Sequence, residues 1–293
     1  MTFFLEVLVG GLLSGAMYSL VALGFVLIFK ASGVFNFAQG AMVLFSALTL
    51  VSLLEKGWNL WMCLGITLAG MVFLAYLIER IVLRPLVNQP PLALFLATIG
   101  LAFAIEGIAQ AMWGTQVHGL NVGIPDVPLN VKGLLISEFD IFTGIIAAVL
   151  VAALALFFSK TRVGRALRAV ADDHEAALTV GIPLRHIWVI VWAVAGIVAL
   201  VAGIVWGSRV GVQFSLVLIA YKALPALILG GLDSVPGAIA GGLLIGASEK
   251  LAEVYVGPFV GGAIESWFPY MLALGFLLIR PEGLFGEVHI ERV

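Results

Sequence analysis

Long apolar stretches recur along almost the whole chain and constrain its fold more than any other feature. Most are close to the roughly 20 residues that an α-helix needs to cross about 30 Å of hydrocarbon. A bilayer offers the backbone no hydrogen-bond partners, so such repeated stretches predict helices. Membrane strands would show alternating segments of about 10 residues, and none occur. With 62% hydrophobic and only 11% charged residues, the composition also lies outside the range of soluble domains. The sequence therefore predicts an all-α polytopic membrane protein.

The apolar pattern places the spans approximately, within one transmembrane domain over residues 1–293. The predicted spans are 7–29, 36–54, 59–79, 92–113, 139–159, 187–207, 216–232, 236–255 and 267–280. The first is too long for a signal-peptide core and has no basic segment before it, so it is expected to remain as a helix. Residues 216–255 form either two short spans or broken helices that meet near 230–237. Eight or nine crossings follow.

Basic residues predict the orientation of these spans. Ten fall on one side: Lys30, Arg80, Arg84, Lys160, Arg162, Arg165, Arg168, Arg185, Arg280 and Arg292. Only Lys56, Lys132 and Arg209 fall on the other. The positive-inside rule makes the first side cytoplasmic, with the N-terminus outside and the C-terminus inside. The longest external loop, 114–138, is expected to lie on the membrane surface or to cover an entrance.

Several function classes are excluded. No polar segment is long enough to form a catalytic domain, and no phosphate-binding glycine loop occurs. The four histidines are scattered and the one cysteine, Cys63, lies in an apolar run, so no metal site or intrachain disulfide is predicted. A net charge of −2 gives no indication of nucleic-acid binding.

One polar loop, 160–186, interrupts the apolar chain and contains strong helix boundaries. Asp172 can cap a short helix, and Glu175 can reach back three residues to complete a capping box. Gly181 suits the left-handed position at the other end, and Pro183 prevents continuation. The expected helix, about 173–180, would have a surface kept small by Ala176 and Ala177. Both an ordinary capped connector and a helix stabilised by docking onto a partner fit this pattern.

The Glu-Ala-Ala core of this loop, followed by Gly181, is similar to the cytoplasmic "EAA" loop of ABC-importer permeases. Further segments resemble the LivH-type branched-chain amino acid permeases over essentially the whole length. These are Phe35–Gly40, Glu79-Arg80, Arg84-Pro85-Leu86, Gly164–Ala169, Gly230–Ala238 and Arg280–Gly286. Ala41 differs, since relatives commonly have an acidic residue there.

The resemblance implies a permease subunit in the bacterial inner membrane, importing branched-chain amino acids or small solutes such as urea and amides. It implies that Asp172, Glu175, Ala176, Ala177 and Gly181 form a coupling helix seated on an ATPase. It also implies three kinds of partner: a second permease (LivM-like or another copy), two cytoplasmic ATPases and a periplasmic solute-binding protein. ATP and magnesium would be bound by the ATPases, and no cofactor by this chain. The alternative is a stand-alone secondary transporter or channel.

Polar residues inside the spans are the candidates for a pathway or for helix contacts. Asn36 and Gln39 share a helix face and could either bond a neighbouring helix or line a polar route. Glu106 and Lys222 lie within spans, where ionisable groups usually face the protein interior or water. Asp233 lies at the break between the seventh and eighth spans, whereas Glu249 and Lys250 are expected at the membrane interface.

The glycines of the eighth span show the four-residue spacing that permits close helix crossing. They are Gly237, Gly241, Gly242 and Gly246. Packing is the expected role of all four.

Overall fold

The structure is a computed structural model of the whole chain. It describes residues 2–86, 89–123, 127–131, 133–172, 179, 181 and 184–286. The predicted all-α membrane class is confirmed, since helices form most of these residues. The longer helices are α1 (Thr2–Ser32), α2 (Gln39–Glu55), α3 (Leu60–Leu77), α4 (Pro91–Trp113), α5 (Glu138–Lys160), α6 (Arg162–Asp172), α7 (Leu184–Val210), α8 (Val217–Gly230) and α9 (Val235–Tyr255). Two more follow, the short α10 (Gly257–Val260) and α11 (Phe268–Ile279).

Each predicted span coincides with a helix, and most boundaries agree within three residues. By length and composition, five helices in the described part of the chain can cross a membrane. A sixth crossing is possible if α8 and α9, which meet at a 115° bend, count together as one broken span. The apolar helices α2 and α11 have only 17 and 12 residues. The total of eight or nine membrane crossings therefore stays a prediction.

The region around 216–255 is a pair of helices joined by a short turn. Helix α8 ends at Gly230 and α9 begins at Val235. Ser234 caps the start of α9, because its side chain accepts a hydrogen bond from the Gly237 N–H at 3.1 Å. This Ser–Val–Pro start is a usual helix N-terminus, with a hydroxyl cap followed by proline in the first turn. The sequence left two short spans and broken helices open, and the sharp bend is compatible with a broken span or a re-entrant loop.

The loop between α4 and α5 contains a β-hairpin that the sequence did not predict. Strand β1 (Pro128–Val131) pairs antiparallel with β2 (Leu134–Ser137), and Pro128 lies opposite Ser137. The Leu135 N–H donates to Glu6 Oε1 at 2.8 Å, which ties β2 to the start of α1. Four-residue strands carry too little periodicity to be recognised in a mildly polar loop.

The polar loop 160–186 begins with a helix of its own. Helix α6 covers Arg162–Asp172, which the sequence did not predict, and the capping role of Asp172 stays a prediction. The arginines of this segment favour helix formation, and Thr161 Oγ1 accepts the Gly164 N–H at 3.1 Å. Residues 173–178, which include most of the predicted coupling helix, lie outside the described part of the chain.

The chain divides into two compact units, each with its own packed interior. Unit 1 comprises Met1–Val26, Gly123–Val149 and Tyr221–Val293, and unit 2 comprises Leu27–Val122 and Leu150–Ala220. In unit 2, the buried helix α2 packs against α3, α4 and α7.

In unit 1, α1 and α9 approach at glycine. A Cβ added at Gly246 would overlap the backbone N and Cα of Gly15, and one at Gly15 would lie 2.8 Å from the Cα of Leu243. Close approach of this kind is how membrane helices gain contact energy.

This contact predicts a strong effect of a side chain at Gly246. Gly246→Val should lower the free energy of unfolding by about 1–3 kcal/mol, the usual cost of overpacking, because both obstructing groups are backbone. The matched control is Gly275→Val on α11, where nothing lies within 4 Å of the added Cβ. Thermal unfolding in detergent, followed by tryptophan fluorescence, measures the difference, and equal midpoints for the two variants would contradict it.

Candidate functional site

The break between α1 and α2 is a buried polar loop. Asn36 Oδ1 accepts the Ala38 N–H at 3.0 Å, and Asn36 Nδ2 donates to Gln39 Oε1 at 3.4 Å. Both amide side chains are fully buried. The predicted shared helix face is not found, because Asn36 lies in the loop before α2 and Gln39 is the first residue of the helix. Their side chains nevertheless contact each other, and Asn36 also holds the backbone of the loop.

Thr98 of α4 holds the same loop and was not identified from the sequence. Its Oγ1 accepts the Phe37 N–H at 3.4 Å and lies 3.1 Å from the carbonyl oxygen of Phe35. Irregular backbone at membrane depth is tolerated only where protein groups or a cavity satisfy it. A lone threonine in an apolar run carries no sequence signal for this role.

Gln39 retains an unused hydrogen-bonding group. Its Nε2 is buried and has no hydrogen-bond partner in the described part of the chain. A buried donor without a partner costs about 1–3 kcal/mol, so this amide lowers the stability of the conformation described. Groups of this kind are candidates for interactions made only with a solute or in another conformation.

A second polar feature forms where the α8–α9 turn meets the segment after α11. The Leu284 N–H donates to the Leu229 carbonyl at 2.8 Å, and the Phe285 N–H donates to the Gly230 carbonyl at 3.0 Å. These are among the last carbonyls of α8, which have no partner within the helix. Two segments that the sequence singled out separately, 230–238 and 280–286, are thus joined through their backbones.

Glycine at this junction is required by space and by backbone conformation. Gly231 has φ +109° and Gly283 has φ +81°, and a Cβ at Gly231 would lie 2.6 Å from the backbone N of Gly286. Asp233 lies beside Gly286, with its Oδ1 3.6 Å from where a Cβ at Gly286 would stand. The structure places Asp233 in the turn and partly exposed.

The four glycines of α9 all lie against other backbone or a polar side chain. Gly237 and Gly241 face α8, against Gly230 and the carbonyl of Ala226. Gly242 and Gly246 face α1, where a Cβ would meet Ser19 Oγ and Gly15. One spacing motif therefore serves two helix contacts, on two sides of α9.

Glu249, which the sequence placed at the membrane interface, is enclosed by other side chains of the protein. The residue is only 6% exposed, and its Oε1 accepts a hydrogen bond from Tyr18 Oη at 3.1 Å. Lys222 and Glu265 act on the carboxylate electrostatically, but no direct ion pair joins Lys222 to it among the described residues. The sequence showed the charge and not its environment, because Tyr18 is 231 positions away.

The other ionisable candidates are less enclosed. Lys222 and Glu106 are both partly exposed, and Lys250 is exposed. Among the described residues, no group of three or more histidine, cysteine or acidic side chains is arranged to hold a metal ion.

The predicted coupling helix is described only at its end. Glu175, Ala176 and Ala177 lie outside the described residues. Thr179 is helical, and Gly181 has φ +81°, the left-handed conformation expected of a residue that ends a helix.

Long apolar helices, buried polar groups within them and glycine-mediated helix contacts define a multi-pass membrane protein. The family described as "Branched-chain amino acid transport system / permease component" matches residues 7–279. The chain belongs to this family, and it is a permease subunit of an ABC importer.

Curated relatives match over nearly the full length. The high-affinity branched-chain amino acid transport system permease protein BraD of Pseudomonas aeruginosa is 28% identical, covering 99% of this chain and 98% of its own length. The corresponding protein LivH of Escherichia coli (strain K12) is 26% identical, with the same coverage of both chains. The fructose import permease protein FruF of Bifidobacterium longum is 26% identical over 80% of this chain and 67% of its own.

The unpartnered amide predicts a gain in stability on its removal. Gln39→Met keeps the length of the side chain and eliminates the buried donor, but it also removes the oxygen that accepts from Asn36 Nδ2 at 3.4 Å. Because that hydrogen bond is long, the free energy of unfolding should still rise, by less than the cost of an unpaired buried donor, which is about 1–3 kcal/mol. Gln110→Met is the control, since Gln110 is exposed on α4. Thermal unfolding of the purified chain measures both, and a lower midpoint for Gln39→Met than for Gln110→Met would contradict a net cost of the Gln39 amide.

Proposed function

We propose that this chain forms one half of the translocation pathway of an importer for branched-chain amino acids. The observation that carries the proposal is the family match over residues 7–279, together with relatives named for this transport over nearly their full lengths. Related small solutes such as urea and amides are the next candidates. A sugar permease among the relatives indicates that this scaffold serves more than one solute class.

The energy for transport comes, in this proposal, from separate subunits. Two cytoplasmic ATPases bind ATP and magnesium, and this chain binds no cofactor. A second permease completes the pathway, and a periplasmic protein delivers the solute. The bacterial inner membrane holds the complex, with the N-terminus of this chain in the periplasm and its C-terminus in the cytoplasm, as the distribution of basic residues favours.

The segment 172–181 receives the motion of the ATPase. Its support is the Glu-Ala-Ala core, the cytoplasmic placement after the arginines of α6, and the left-handed Gly181 that ends it. Buried polar groups such as Gln39 and Glu249 are suited to a protein that alternates between packings, because each packing can satisfy a different set of them.

Uptake in liposomes tests the source of energy. Leucine uptake should require ATP, the two ATPases and the binding protein together, and should persist when an ionophore dissipates ion gradients. Uptake by this chain alone, abolished by the ionophore and indifferent to ATP, would instead establish a secondary transporter. ATP-dependent uptake of urea or an amide in place of leucine would correct the solute and keep the mechanism.

Two substitutions test the coupling segment. Glu175→Lys should weaken ATPase association by reversing a charge, and Gly181→Val should do so because valine is strained at φ +81°. Coupled uptake should fall several-fold at equal membrane abundance. Glu138→Lys makes the same charge change at the opposite end of α5 and should leave ATPase association intact. Normal uptake by both loop variants would refute the coupling role.

A further inference from the structure

A buried carboxylate lies inside unit 1, where α1 meets α9. Glu249 of α9 is 6% exposed, and its Oε1 accepts a hydrogen bond from Tyr18 Oη of α1 at 3.1 Å. No other hydrogen bond or ion pair reaches this carboxylate from the described residues. A carboxylate has about four acceptor positions, so one hydroxyl leaves most of its capacity unused. Glu249 can therefore accept further hydrogen bonds from a ligand.

A lysine lies on the other side of the contact between α8 and α9. The two helices meet at Gly241, where an added Cβ would overlap the carbonyl oxygen of Ala226. Lys222 lies about one turn from Ala226 on α8, and Glu249 about two turns from Gly241 on α9. Both side chains are thus on the facing sides of the pair, and Lys222 acts electrostatically on the Glu249 carboxylate.

The two opposite charges are near each other but are not paired. No direct ion pair joins Lys222 to Glu249, and no acceptor among the described residues bonds the Lys222 ammonium. Charges at membrane depth are costly unless they have partners, and their mutual attraction is strong in a medium of low dielectric constant. A ligand that bridges them would offer a positive group to Glu249 and a negative group to Lys222.

The surroundings give this site an inner end and an open side. Glu249 is enclosed, whereas Lys222 is partly exposed and Tyr270 of α11 is exposed. The charge of Glu249 also acts on Tyr270, so the tyrosine belongs to the same neighbourhood. Glu265, exposed in the segment before α11, adds a second negative charge near Glu249. This charge favours a cationic group at the inner end.

The site lies toward one membrane face. Lys222 is in the second turn of α8, which begins at Val217, and Glu249 is less than two turns before α9 ends at Tyr255. The turn that joins the two helices is at their other ends. In the orientation that the basic residues favour, the site is therefore on the periplasmic side, from which an imported solute arrives.

We propose that Glu249 and Lys222 bind the zwitterionic head of an α-amino acid, with the solute ammonium at Glu249 and the solute carboxylate at Lys222. Charge-assisted hydrogen bonds of this kind are the strong ones in proteins. Tyr18 acts as a positioning residue that holds the Glu249 carboxylate. The inference rests on the proposed function and deepens it, since urea, simple amides and sugars lack this pair of opposite charges.

Leucine binding tests the site in the complex assembled with the second permease and the ATPases, without the binding protein. Glu249→Gln keeps an acceptor for Tyr18 but loses the charge, and it should weaken binding of radiolabelled leucine about tenfold or more. Lys222→Met should have a similar effect, and Lys222→Arg should restore most of the affinity. The controls Lys250→Met and Glu265→Gln remove exposed charges nearby and should change the affinity little. Co-purification with the partner subunits shows that each variant folds.

Competition by leucine analogues distinguishes direct contact from a structural effect. Leucinamide lacks the carboxylate, and isocaproate is leucine without its amino group. Glu249→Gln should lose the preference for leucine over isocaproate and keep the preference over leucinamide. Lys222→Met should show the reverse pattern. A merely structural role would weaken binding of all three compounds to the same extent.

Three results would overturn the proposal. They are the absence of saturable leucine binding by the wild-type complex, equal leucine affinity of the wild type and Glu249→Gln, and the same loss for leucine and both analogues. ATP-dependent leucine uptake by the wild type, measured in liposomes with the binding protein, reports separately on the proposed function. Uptake together with any of these three results would remove the site and leave the function in place.

Discussion

Close approach of helix backbones, with a serine hydroxyl at the contact, is the interaction on which both units depend. In hydrocarbon the association of helices gains nothing from the hydrophobic effect and relies on packing and interhelical hydrogen bonds. In unit 1, Gly242 lies against α1, where Ser19 Oγ is 3.2 Å from the Ile239 carbonyl. In unit 2, Gly203 of α7 lies against α2, where Ser46 Oγ is 3.1 Å from the Ala199 carbonyl. The same pairing of a small residue with a hydroxyl thus stabilises the interior of each unit.

Backbone groups at helix breaks impose the second constraint. A broken helix exposes carbonyls and N–H groups that hydrocarbon cannot satisfy. Between α1 and α2, Asn36 and Thr98 provide side-chain partners. At the end of α8, the N–H groups of Leu284 and Phe285 provide backbone partners. The segment after α11 therefore belongs to the fold of unit 1 and is not a free tail up to Gly286.

Two buried polar groups within the helix packing stand apart from these. The Nε2 of Gln39 has no partner among the described residues, and the Glu249 carboxylate is buried with a hydrogen bond from Tyr18; neither group completes a helix end. A permease must exchange one set of helix contacts for another as it transports. Residual polar groups between helices lower the energy gap between such packings, which is the physical reason that they suit the proposed function.

The sequence by itself determined the membrane class, the helix positions and the family. Each of these depends on local properties: the length of an apolar run, a capping residue, or a short motif. It could not show that Glu249 is buried, that Thr98 holds the α1–α2 loop, or that Gly242 and Gly246 face α1 while Gly237 and Gly241 face α8. It also missed the hairpin at 128–137 and the helix α6. Only the tertiary structure decided these, because they depend on which helices meet. Residues as distant as Tyr18 and Glu249 become neighbours through helix packing, for which no local pattern in the chain carries a signal.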